Sequence, residues 1–308
     1  MTASATLTPA TPARPAPAGA GGPTQRPGAA LLLILGSCTS LQGGAALAER
    51  LFPVTGAAGA VLLRLGLSAV IMLALVRPKV RTWTKAQWRI VVLYGLSLAG
   101  TNGFFYAALA RLPLGTAVTI QFLGPLTLSA VLSRRPRDIG WVLLAVTGVL
   151  TLGLASRHGA GGQPLDPAGL VFVLISAAFW ALYIVVGGRA SKAVPGRGGL
   201  AVAITVAAVA VAPFGVVGAG HVLPHPYLLL FALGVAVLAS VVPYTLELSA
   251  LRRAPRRVFG ILLSLEPAVA TLAGWLLLGQ SAGPVTIAAV LVVIAASAGS
   301  SLSYREGS

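Results

Sequence analysis

The stretch PYTLELSALRRAPRRVFGILLSLEP, residues 243–267, sets two carboxylates, Glu247 and Glu266, in otherwise apolar sequence and separates them by Arg252, Arg253, Arg256 and Arg257. Its flanks, Leu228 to Ala250 before the arginines and Val258 to Leu278 after them, have the length and apolarity of membrane-spanning helices. An acidic side chain is expensive there: insertion scales charge about 2.5 to 3.5 kcal/mol for Asp at the helix centre. A carboxylate kept at that cost faces a polar cavity or a partner, and the rest of the chain has to supply it.

Apolar residues make up 56% of the 308-residue chain and charged residues only 9%, with a mean hydropathy of +0.90. So few charges cannot cover the surface of a soluble domain, and the composition is that of a polytopic membrane protein. The net charge of +16 does not point to nucleic acid, because the basic residues lie scattered between apolar runs instead of gathering on one solvated face. Cys38 is the only cysteine, which excludes an intrachain disulfide and a cysteine-based metal site.

Working outward, Met1 to Gly28 is a Pro-, Ala-, Gly- and Thr-rich tail that cannot bury enough surface to fold. Ala29 to Ala48 is the first apolar run. Its Ala46-Leu47-Ala48 has the small residues of a signal-peptidase site, but Gln42, the Gly43-Gly44 pair and nine later spans argue for a retained helix. The later runs are Val54 to Val76, Trp88 to Leu109, Leu114 to Leu132, Ile139 to Ala155, Ala168 to Gly187, Gly199 to Ala219, the two flanks above, and Val285 to Leu302, giving ten spans.

With the N-terminus placed in the cytoplasm, 18 of the 22 Lys and Arg fall on that side. They occupy the tail, the loop from Arg77 to Arg89, Arg134 to Arg137, Arg189 to Arg197, the four arginines of the opening stretch, and Arg305. Arg50, Arg111 and Arg157 fall on the other side, and Arg64 lies inside the second span. The bias puts both termini in the cytoplasm. Ala108, Leu109, Arg111, Pro113, Leu123 and Pro125 recur at an offset of 142 as Ala250, Leu251, Arg253, Pro255, Leu265 and Pro267. Five spans per repeat is an odd number, so residues 29–155 and 168–303 form two repeats of opposite orientation, and their loop charges alternate accordingly. Inverted repeats with proline-interrupted helices are the signature of a secondary transporter.

Arg64 sits about 15 Å into its span at 1.5 Å per residue, too deep to snorkel. It either pairs with a membrane glutamate to hold helices together or forks a substrate carboxylate. Glu266, next to Pro267 in the middle of its span, is the candidate for proton coupling or for binding a substrate ammonium; Glu247 is the second candidate, with a local ion pair to Arg252 as its other reading. Trp180 and Tyr183, one turn apart, suit a cavity wall. Gln42, Asn102, Tyr106 and Tyr244 are further candidate substrate contacts, and interhelical hydrogen bonding accounts for Gln42 and Asn102 equally well. No zinc motif, no phosphate-cradling glycine loop with its lysine and no G-x-S-x-G occurs, so no enzyme, cofactor or metal is expected. His158, His221 and His225 all fall in loops on the external side.

Several motifs carry a family resemblance from about Ala30 to Ser303. They include Leu41-Gln42-Gly43-Gly44-Ala45, Leu51-Phe52-Pro53, Arg64, Tyr94-Gly95, Asn102, Phe105-Tyr106, Gly124-Pro125-Leu126, Trp180-Ala181 with Tyr183, Pro243-Tyr244, and Glu266-Pro267-Ala268. With these the chain resembles the drug/metabolite transporter superfamily in its ten-span EamA-type branch, and within it the bacterial threonine and homoserine exporters. The resemblance implies export of small amino acids or related metabolites. The exporters commonly carry Glu where this chain has Gln121 and Gln280, and a glutamine keeps the hydrogen bonding but cannot take up a proton. That leaves Glu266 and Glu247 as the acids expected on helices.

The expected protein is therefore an all-α inner-membrane transporter of ten helices, exporting small amino acids, with proton antiport as its driving force. Its partners are the solute, protons and the lipid bilayer, and the pattern is compatible with a homodimer. Export of other amphipathic metabolites or drugs is the alternative, and a lipid-directed membrane enzyme the more distant one. The charge bias yields a direct test of topology. In a background lacking Cys38, a cysteine at Gly162 should react with an impermeant thiol reagent on intact cells and one at Ser308 should not; equal labelling of both would overturn the orientation.

Overall fold

Loop residues rich in Pro, Gly and charge divide the chain into helices, and the computed structural model describes residues 27–133, 136–157, 165–243, 245–246 and 262–303. The helices are α1 (Pro27–Glu49), α2 (Phe52–Val76), α3 (Lys85–Leu109), α4 (Leu114–Gln121), α5 (Leu123–Ser133), α6 (Pro136–Arg157), α7 (Pro167–Ala193), α8 (Gly198–Gly220), α9 (Pro226–Ala236), α10 (Glu266–Leu278) and α11 (Pro284–Ser303). A π-helical segment, Val237–Val241, continues α9. No strand occurs among the described residues. Seven segments among the described residues are long and apolar enough to cross a membrane, one of them α4 and α5 taken together (Leu114–Leu132), and the segments Pro226–Val241 and Glu266–Leu278 are apolar but shorter. Phe214, Val217, Leu132, Leu230 and Leu75 are each at least 69% exposed, an apolar surface that suits lipid and would be a liability in water. The protein is an all-helical, multi-span membrane protein.

Two of the expected spans are broken. The fourth is split at Phe122 into α4 and α5, three residues before Pro125. The ninth turns at Ser264 and Leu265, just before Pro267, so Glu266 is the first residue of α10 and not a mid-helix residue. Pro267 thus stands where a helix begins, and its missing N–H costs no hydrogen bond. The carboxylate of Glu266 gains from the position, because a helix N-terminus favours negative charge.

α2 packs on α8, α3 on both α7 and α8, α6 on α11, and α10 lies against α1 and α4; α1 also contacts the π segment. Small residues allow these approaches. A Cβ at Gly44 would come within 2.7 Å of Ala239 N, and one at Gly59 within 2.8 Å of Ala219 N. Gly56, at φ +64, kinks α2 in a conformation that other residues rarely adopt.

Contacts at the helix ends sort into two groups. In one, Gln280 Oε1 accepts from Leu114 N at 2.9 Å while its Nε2 donates to Glu49 Oε1 at 3.0 Å. Arg50 Nη2 donates to Leu277 O, Arg111 pairs with Asp166 at 3.6 Å, and His221 Nδ1 lies 3.2 Å from Val54 O. In the other, Gln87 Nε2 donates to Ala193 O at 2.7 Å. The structure also corrects the count of helix-borne acids: Glu49 ends α1 and Asp138 is in the first turn of α6. Acids at the ends of apolar runs look like loop residues until the helices are drawn.

Close packing of α2 on α8 gives a paired prediction. Gly218→Ala would drive its Cβ into Thr55 O, and overpacking of this kind costs about 1–3 kcal/mol. Gly66→Ala, on the same helix as Thr55, meets nothing within 4 Å. The thermal midpoint in detergent should fall by several degrees for the first and stay level or rise for the second.

Candidate functional site

A cavity of about 410 Å³ is lined by residues from most of the helices, among them Gln42, Arg64, Asn102, Gln121, Trp180, Tyr183 and Glu266. Its volume falls in the range of small-molecule sites. The lining extends to Ser129, Ser300 and Ser301 near the C-terminal ends of α5 and α11, and takes nothing from the last turn of α1 or the first turns of α4. That opposite end is where Gln280 joins Glu49 and Leu114.

Arg64 is only 6% exposed, and it bonds to the segment that precedes Pro243 on another helix. Pro243 has no N–H to give to the carbonyl four residues earlier, that of Ala239. Arg64 Nη2 donates to that oxygen at 2.8 Å. Arg64 Nε donates to Ser240 Oγ at 3.4 Å and Nη1 to Tyr106 OH at 3.2 Å, with the guanidinium 5.6 Å from the Tyr106 ring centre. Two neighbouring hydroxyls support the same element: Ser68 Oγ donates to Ala236 O at 3.3 Å, and Ser40 Oγ to Leu238 O at 2.7 Å. π-helical turns recur at functional sites, and this one supplies the carbonyl that holds the cation. Three of the five guanidinium donors are engaged in this way, which leaves one N–H on each Nη. No carboxylate is among the partners of Arg64 within the described residues. Arg64 ties helices together through neutral acceptors while its face lines the cavity.

Glu266, 7% exposed, accepts from Gln42 Nε2 at 2.7 Å across the α1–α10 contact. The other end of that amide, Gln42 Oε1, is buried without a hydrogen-bond partner. Gln42 lines the cavity with the rest of its side chain, and its amide N–H holds the Glu266 carboxylate beside it. The site therefore presents hydrogen-bond donors on Arg64 and a carboxylate acceptor on Glu266.

The other candidates are placed as follows. Trp180 meets Phe122 edge-to-face at 5.1 Å and Tyr183 stacks on Tyr94 at 4.9 Å, both on the cavity wall. Asn102 lines the cavity but donates to Leu98 O of its own helix at 2.9 Å, so it bridges no helices through that bond. Tyr106 is fully buried behind Arg64 and is not a lining residue. Tyr244 and Glu247 lie outside the described residues. Sequence reasoning passed over Ser176, Ser129 and Ser300, because a serine in an apolar span is ordinary and only the pairing of helices reveals its partner.

The geometry predicts that Arg64→Lys fails in transport nearly as badly as Arg64→Ala while the protein still inserts. An ammonium cannot reach Ala239 O, Ser240 Oγ and Tyr106 OH and still present a planar fork. Full transport by the lysine variant, measured in proteoliposomes, would reduce Arg64 to a generic positive charge.

Known proteins bear on this arrangement. The profile of the EamA-like transporter family matches residues 167–302. The chain is 42% identical over 279 residues to the threonine/homoserine exporter RhtA of Salmonella typhimurium strain LT2, covering 90% of this chain and 92% of that protein. It is 40% identical over 281 residues to RhtA of Escherichia coli strain K12, covering 90% and 93%. A protein of known crystal structure shares the fold with a TM-score of 0.59 at 21% identity, over 89% of this chain and 97% of that one.

Proposed function

From the premise that this chain belongs to the EamA-like transporter family, we propose that it exports small amino acids of the threonine and homoserine kind across the inner membrane by proton antiport. It is a transporter and not an enzyme. The observation that carries the substrate class is the placement of Arg64 and the Glu266–Gln42 pair in one cavity of about 410 Å³. A zwitterion needs both. Its carboxylate is bound by the two remaining N–H groups of Arg64, and its ammonium by Glu266, which Gln42 Nε2 holds in place.

Antiport follows from one group with two uses. Glu266 carries a proton or faces the substrate ammonium, and the two states exclude one another, so a proton bound from one side is displaced by substrate from the other. The chain works as two inverted five-helix repeats. The helix contacts support this: exchanging the first five spans with the last five maps α1·α10 onto α7·α4 and α3·α7 onto the π segment against α1, and maps α2·α8 and α6·α11 onto themselves. The end contacts support it too, since the end of α1, the start of α4 and the loop after α10 meet at one end, as alternating crossings require. With both termini in the cytoplasm, the cavity faces inward and the Gln280 contacts close the outer end.

Overexpression of the gene should lower intracellular threonine and homoserine, measured by amino-acid analysis, and an unchanged pool would overturn the substrate class. Coupling is tested separately. Glu266→Gln keeps shape and hydrogen bonding but cannot change charge, so it should abolish efflux driven by a pH gradient in proteoliposomes while protein yield and thermal stability stay near those of wild type. Retained gradient-driven efflux with an unchanged pH profile would move the proton site elsewhere, with Glu247 the next candidate.

A further inference from the structure

Resting on the proposed export of hydroxylated amino acids, we infer that Gln121 is the residue that reads the substrate hydroxyl, and that Ser176 and the Thr101 carbonyl fix it in the orientation to do so. Thr101 O is an acceptor only, so the 2.7 Å contact from Ser176 Oγ uses the single proton of that hydroxyl. Ser176, fully buried, then has only lone pairs to offer Gln121, 2.7 Å away. The atom of Gln121 facing Ser176 must therefore be the Nε2 donor. The relay settles which way the amide points, and the Oε1 end is left to the cavity that Gln121 lines.

A fixed amide oxygen on a cavity wall accepts hydrogen bonds and cannot donate them. It is neutral, so it offers little to an ammonium that has Glu266 available, and it repels the substrate carboxylate. A hydroxyl is the group it suits. The repeat sharpens the assignment: at the offset of 142, Gln121 corresponds to Leu263, which packs on Ile34 and Cys38, while Glu266 corresponds to Gly124. One half carries charge and the other a neutral acceptor. The two polar groups are not copies of one another, and they take different parts of the solute.

Threonine and homoserine share one deoxy analogue, 2-aminobutyrate, which keeps the zwitterion and lacks the hydroxyl. In counterflow with radiolabelled threonine in proteoliposomes, the wild-type protein should be half-inhibited by threonine at about one-tenth the concentration of 2-aminobutyrate, the worth of one hydrogen bond to a neutral acceptor. Gln121→Leu, close in volume, should bring that ratio near unity by weakening threonine more than its analogue. Ser176→Ala, which frees the amide to turn, should give an intermediate ratio. It also serves if the leucine variant does not fold. A wild-type protein that does not distinguish the two solutes, or a folded Gln121→Leu or Ser176→Ala protein that keeps the full ratio, overturns the assignment. Absence of any threonine counterflow by the wild-type protein would instead remove the reading on which it rests.

Discussion

A carbonyl that loses its helical partner inside a membrane has no water to turn to, and leaving it bare costs several kcal/mol. Pro243 withholds the N–H that an α-helical turn would offer Ala239 O, and Arg64 donates to that oxygen at 2.8 Å. Much of the site depends on this one exchange. A buried guanidinium without acceptors would be prohibitive, and a bare carbonyl nearly so, but together each removes the cost of the other. The segment before a proline on one helix thereby holds the cation of another. Tyr106 and Ser240 complete the seat, so the remaining N–H groups point from a rigid base and would lose little freedom in binding the proposed solute.

The same economy of broken helices recurs at Glu266. A carboxylate in the middle of a continuous helix would rely on side chains alone, whereas at the first residue of α10 it stands at the positive end of the helix. The turn at Ser264 and Leu265 makes this possible, and it matches the break at Phe122 in the corresponding span. Both breaks precede prolines that the sequence repeat relates, Pro125 and Pro267. Irregular backbone of this kind persists at membrane depth only where protein or a water-filled cavity covers it, and here it borders the cavity that holds Gln121, Phe122 and Glu266.

The apolar runs were readable because twenty-residue stretches with few charges admit little else, and Arg64 and Glu266 stood out because charge in such stretches is rare. What proline would do was less readable. Pro125 and Pro267 stand in the first turns of new helices, whereas Pro243 follows a π-helical segment. Tyr106 shows a second limit. Its position beside polar residues suggested a ligand contact, but the ring lies behind Arg64, because the register between α2 and α3 is a tertiary fact. Gln280 and Gln121 were legible as neutral residues where an acid had been expected. Their partners, Glu49 and Leu114 for one and Ser176 for the other, lie far away in sequence and carry no local signal.

These partners separate what has to stay fixed from what has to move. Arg64 spends its bonds on acceptors deep in the protein, where parting them would leave a cation and a carbonyl dry, so the α2–π contact is suited to travel as one body. Gln280 bonds at both ends of its amide to groups at helix ends, Glu49 at the end of α1 and Leu114 N at the start of α4. Water can reach such positions once the helices part, and water can replace both bonds at modest cost. An alternating transporter needs its gate where bonds can be exchanged for water and its pivot where they cannot. In the proposed export cycle the contacts of Gln280 would serve as the gate and those of Arg64 as the pivot.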